Sequence, residues 1–154
     1  MKKMLVLVLA VIMVMSMAVP AAALNSPTAT AADLTPVLTK ESTLIVELHT
    51  TADVLKLAEE VQEVMAEAKE DLQEAAPKGF AVKYFFYVEI IGTEKSVAVE
   101  FEPIKGITAE TDAARLVVMQ FVNGKWVELE FTINADGTIT VLGVVEGPIA
   151  VFMK

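Results

Sequence analysis

Cysteine is absent from the 154 residues, and histidine occurs once. Without cysteine there is no disulfide framework, no thiolate zinc site and no cysteine nucleophile. A single histidine makes a multi-histidine metal centre impossible, so any metal site would need several carboxylates. Basic side chains are few: 12 Lys and Arg stand against 21 Asp and Glu, a net charge of −9. That balance argues against nucleic acid, whose binders use clustered Lys and Arg to displace counterions. A Gly-x-Ser-x-Gly elbow, a glycine-rich phosphate loop and an EF-hand register are all missing. Carboxylates occur throughout, so pairs of them are uninformative; a glycosidase is defined by two carboxyls separated across a cleft. No catalytic constellation assembles. The expectation is a non-enzymatic protein without metal or cofactor.

The opening segment reads as an address. Met1-Lys2-Lys3 is a positive n-region, Met4 to Met17 is an apolar run, and Pro20-Ala21-Ala22-Ala23 supplies small residues for cleavage after Ala23. This is the layout of a signal peptide, 1–23, and it predicts secretion. No cysteine follows to carry a lipid, and Ile149 to Lys154 is too short to span a bilayer. Cleavage would remove Lys2 and Lys3 but no acidic residue, so the remainder is more acidic still. Such a charge favours solubility and disfavours anionic membrane surfaces. Residues 24–37, rich in Ser, Thr, Ala and Pro, read as a flexible leader. The remaining residues, 38–154, are long enough for a single β-rich domain with its own core.

Within that domain, Ser42 to Thr50 alternates as a strand, with Leu44, Val46 and Leu48 on one face and Ile45, Glu47 and His49 on the other. From Ala52 to Ala76 the period changes, and Val54, Leu57, Ala58, Val61, Val64, Met65, Ala68, Leu72 and Ala75 make one stripe on a long amphipathic helix. Thr50 or Thr51 suits its N-cap, Asp53 its first turn, and Pro77 and Gly79 its end. Residues 80–91 are apolar on both faces at the centre, which predicts an interior strand between the core and the helix. Strands follow over 97–101, 115–122, 126–133, 138–145 and 149–153. Asn123-Gly124 and Asp136-Gly137 supply the positive φ of hairpin turns. The fold class expected is α+β, mainly antiparallel β: a two-layer β-sandwich of about seven strands with one long helix over 52–76. The two-sided strand needs cover on both faces, from the helix or from a second copy in a homodimer.

Several motifs in the C-terminal third make a recurrent set. They are Val-x-Val-x-Phe at 97–101, Gly106-Ile107-Thr108, Asn123-Gly124-Lys125-Trp126-Val127, Asp136-Gly137-Thr138-Ile139-Thr140-Val141, and Gly147-Pro148-Ile149-Ala150-Val151-Phe152. Residues from about 97 to 152 resemble the C-terminal immunoglobulin-like β-sandwich modules of secreted and surface proteins of Gram-positive gut bacteria. The resemblance implies a sandwich and brings no catalytic residues with it.

Candidate site residues fall in two places. Trp126 shares a face with Glu128 and Glu130, opposite Val127, Leu129 and Phe131. If the latter face the core, Trp126 is exposed beside carboxylates, an arrangement that stacks sugars or anchors partners; the alternative is that it covers a strand end. His49 lies at the strand-to-helix junction near Glu47, and such a pair can act as general base or metal ligand. A histidine there is more commonly a boundary residue bonded to backbone or solvent. Glu59, Glu60, Glu63, Glu67, Glu70, Asp71 and Glu74 form an acidic helix face, read as solvated because calcium needs oxygens that converge from a loop. Asp112, Asn134 and Asp136 read as turn residues, and Tyr84 to Tyr87 as core. The function expected is a secreted binding protein whose partner is an extracellular protein. The alternatives are a glycan-binding module using Trp126, or a small hydrolase with an enclosed polar pocket at His49 and Glu47.

Overall fold

A computed structural model describes residues 34–154. The proposed signal peptide, 1–23, and leader residues 24–33 lie outside the described residues. The end of the leader is already engaged: Val37 O accepts the Glu102 N–H at 2.8 Å, and the Thr39 N–H donates to Glu100 O at 3.0 Å. A 3-10 turn, Ser42–Leu44, leads to β1 (Val46–His49), then α1 (Thr51–Val54) and α2 (Glu59–Ala75). The strands β2 (Ala81–Ile90) and β3 (Val97–Phe101) come next, followed by a second 3-10 turn, Glu110–Arg115. The chain ends in β4 (Leu116–Val122), β5 (Lys125–Glu128), β6 (Phe131–Ile133), β7 (Ile139–Val144) and β8 (Gly147–Met153).

The eight strands form two sheets, one ordered β1-β2-β8-β4-β5 and the other β3-β7-β6. Every pairing is antiparallel. The fold is therefore an α+β β-sandwich with one longer helix. Between the sheets lie Phe86, Val88, Val99, Phe101, Ile139 and Ile149. On the other face of the larger sheet, Phe85, Phe121, Ala150 and Phe152 pack with Met65, Ala68 and Leu72 of α2. The central strands β2 and β8 thus have both faces covered, which is why Phe85-Phe86-Tyr87-Val88 and Gly147 to Phe152 are unbroken buried runs. A bulge between Val82 and Tyr84 puts Val82 on the helix side with Phe85, against the alternation its sequence suggests.

Three elements depart from the pattern. Residues 42–44 are a 3-10 turn rather than the start of a strand, and Leu44 is 73% exposed. Ser42 Oγ accepts the Glu100 N–H at 2.8 Å there, and the turn carries the chain from the smaller sheet to the larger. The helix expected over 52–76 is broken at 55–58. Thr50 and Asp53 form a reciprocal capping box on α1. The Gln62 amide then donates to Leu57 O at 2.9 Å and Leu55 O at 3.4 Å, satisfying carbonyls of the break between α1 and α2. The strand expected over 126–133 is two strands in different sheets. The crossing is marked by Leu129 N–H to Val118 O, and by Leu142 N–H to Glu130 O.

Candidate functional site

The first strand borders only β2, and among the described residues nothing pairs with its outer edge. Ile45 and Ile91 are opposed, and Ile45 O accepts the Ile91 N–H at 2.8 Å. An antiparallel ladder alternates hydrogen-bonded and open positions, so Glu47 and His49 bond inward to β2. Val46 and Leu48 therefore turn their N–H and C=O outward. Their side chains point into the inter-sheet core, where Val46 is buried. The edge of the smaller sheet differs, because residues 37–39 cover β3. Between these two edges lies a mainly apolar groove of about 370 Å³, lined by Val37, Leu38, Thr43, Val46, Leu48 and Ile91. Val37 is 68% and Ile91 52% exposed.

The opposite face of β1 is polar. Register places Glu47 directly across from Glu89 and His49 across from Tyr87. His49 Nε2 lies 2.8 Å from Glu89 Oε2, and one ligating atom each from Glu47, His49 and Glu89 fall within 4.8 Å of one another. Both carboxylates are exposed while His49 is buried. Tyr87 donates to Glu146 Oε1 at 3.3 Å. Burial, followed by the charge and hydrogen bond of Glu146 and then the charge of Glu89, pushes the Tyr87 phenol up to about 12. Sequence reasoning named Glu47 and His49 but missed Glu89 and Tyr87. The signal was weak: Glu89 sits next to Tyr87 on a strand, and only the β1–β2 register joins it to His49, 40 residues away.

Of the two arrangements open for Trp126, the structure is nearer the covering one than the exposed one. Its parity was right: it faces away from Leu129, Phe131 and the inter-sheet core. That other face is only partly open to solvent, however, because the helix-side layer packs against it and leaves Trp126 half-buried. Phe121, the register partner of Trp126, belongs to the helix-side layer. The indole packs 5.4 Å from the Phe121 ring and 6.3 Å from Phe85, centroid to centroid. Its Nε1 is buried without a partner. Val127 is instead 49% exposed, at the margin that the three-stranded sheet leaves uncovered. Glu128 and Glu130, with Leu129, Phe131, Thr132 and Leu142, line a recess of about 440 Å³ at the crossing from β5 to β6, and Trp126 is not among its lining residues.

The remaining candidates are turn chemistry and solvated surface. The Thr108 N–H bonds Asp112 at 2.9 Å, and this backbone bond is the main cause holding that carboxyl below its ordinary range. The Thr138 hydroxyl, then its N–H, do the same for Asp136. Asn134 donates to Thr138 and Thr140. The acidic residues of α2 are exposed. No helix of the described residues is long and apolar enough to cross a membrane. Comparison of the chain with protein-family models, curated proteins and solved structures gives no match.

Proposed function

We propose that this is a secreted, non-enzymatic binding protein that takes an extended segment of an extracellular partner protein onto the open edge of β1. One observation carries the reading. The outward N–H and C=O groups of Val46 and Leu48 stand beside an apolar groove in which Val37 and Ile91 are exposed. An unpaired strand edge is a template for another strand, and natural proteins usually blunt it with lysine, proline or a bulge. Val46-Glu47-Leu48-His49 has no lysine, proline or bulge, and its guards are its length of four residues and the charge of Glu47. Backbone bonds would give affinity, and the groove would select apolar side chains at alternate positions of the partner. The partner's other positions are basic, because Glu47 and Glu89 flank the strand and the whole chain carries −9. The same charge opposes pairing of two copies through β1.

Secretion rests on the Lys2-Lys3, Met4 to Met17 and Pro20 to Ala23 layout, and the immunoglobulin-like resemblance points to the same class of protein. The glycan alternative is the weaker reading, because Trp126 is half-buried and packs on Phe121 and Phe85. The hydrolase alternative needs enclosed carboxylates, whereas Glu47 and Glu89 are exposed.

The test places a photo-cross-linker at Ile91 and exposes the protein to native medium. The reading expects an adduct whose attached peptide alternates apolar and basic residues. A synthetic copy of that peptide should bind, and Leu48→Pro, which removes an outward N–H but no β1–β2 bond, should weaken it about tenfold, roughly 1.4 kcal/mol. No adduct, an adduct with a second copy of the chain, or a peptide that binds Leu48→Pro equally well would each overturn the reading.

A further inference from the structure

The geometry points to a binding site for a divalent transition-metal ion of the zinc type on the polar face of the β1–β2 ladder, with Glu47, His49 and Glu89 as its protein ligands. This does not rest on the docking reading, since it needs only the three side chains and no partner strand, although Glu47 also borders the groove. Three observations support it. The donor atoms already lie within 4.8 Å of one another on adjacent strands whose ladder fixes their backbones. His49, nine-tenths buried, presents Nε2 toward the carboxylates at 2.8 Å from Glu89. Finally, Glu47 and Glu89 sit directly opposite, an arrangement in which like charges destabilise a sheet. Among the described residues neither carboxylate has a Lys or Arg ion-pair partner.

The donor set selects the ion. One imidazole nitrogen and two carboxylate oxygens match the ligands zinc takes at about 2.0–2.2 Å, with water completing the shell. Calcium and magnesium want oxygen ligands alone, and calcium wants six to eight of them. Tetrahedral binding sets donors about 3.3 Å apart, so the 2.8 Å His49–Glu89 hydrogen bond must open slightly and the wider gaps in the cluster must close. The exposed side chain of Glu47 supplies that movement, while His49 stays where packing holds it. The sequence excluded a multi-histidine centre; two carboxylates from different strands replace the missing imidazoles.

Metal alone tests this, with the protein as expressed from the full chain. Titration of zinc chloride, followed by calorimetry and thermal unfolding, should give one saturable site and a raised Tm, whereas calcium chloride at the same concentration should do neither. Glu47→Gln and Glu89→Gln change exposed side chains and should each weaken zinc about tenfold or more. Glu128→Gln, remote from the cluster, should bind as the parent does. In 15N spectra of the His49 ring, zinc should move the Nε2 resonance and leave the imidazole signals of a Glu47→Gln, Glu89→Gln double variant in place. Absence of saturable zinc binding, or binding that survives both substitutions, would overturn the assignment.

Discussion

An indole N–H held in an apolar layer without an acceptor forfeits a hydrogen bond it would have in water, at a cost of about 1–3 kcal/mol. Trp126 carries that cost because its ring fills space between Phe85, Phe121 and the helix. Trp126→Phe should therefore leave stability within about 1 kcal/mol of the parent, because lost area is offset by removal of the orphan donor. Trp126→Ala should lose about 3 kcal/mol. Urea unfolding measures both, and a loss for the phenylalanine variant as large as for alanine would show that the N–H has a partner. Gln120 is the reverse case: fully buried, with Nε2 donating to Val145 O at 2.6 Å and Oε1 accepting from Val145 N at 3.0 Å. Gln120→Leu strands both backbone groups and should cost about 2–4 kcal/mol in the same assay. Neither role was legible in the sequence. Trp126 needed knowledge of what covers its face, and the partner of Gln120 is 25 residues away. Tyr87 gives a pH signature. Its phenol is raised from 10.0 to about 12, so its contribution is intact below pH 10 and is lost as pH rises toward about 12. Thermal melts across that window should show a smaller alkaline loss for Tyr87→Phe than for the parent.

At the scale of elements, local chemistry decided where α1 begins, and a side chain from farther along decided where the helical run breaks. Thr50 and Asp53 announced the cap of α1, and Pro77 and Gly79 the end of α2. The interruption at 55–58 depends on the Gln62 amide reaching back to two carbonyls, which no periodicity encodes. Thr50→Ala should remove about 1 kcal/mol of stability, read from the shift of the urea midpoint. The same substitution removes the largest cause that holds the Asp53 carboxyl below 3.8. A depressed carboxyl stabilises the fold above its unfolded pKa and loses that effect as pH falls through the folded value. Acid unfolding of Thr50→Ala should therefore depend less on pH below about 3.8 than that of the parent. Among the strands, β2 was readable because apolar residues on both faces mean cover on both faces. The segment 126–133 misled because its alternation runs unbroken across a change of sheet, which only the bonds of Leu129 and Leu142 reveal.

For the molecule as a whole, composition and turn residues were enough for an antiparallel sandwich with a helix. The order of strands was not. The last strand, β8, sits at the centre of the larger sheet, and its signature was the run Pro148 to Phe152 without a charge. The first strand, β1, falls at an edge, and that position makes it the centre of the account. It turns backbone groups to an apolar groove on one side and holds Glu47 and His49 against Glu89 on its polar face. Amide hydrogen exchange of the β1 residues tests the open edge without any partner. The N–H groups of Glu47 and His49, bonded to β2, should exchange slowly, while those of Val46 and Leu48 exchange near the unprotected rate. Slow exchange at Val46 and Leu48 in the isolated protein would mean that the edge is already paired, and would contradict a docking strand.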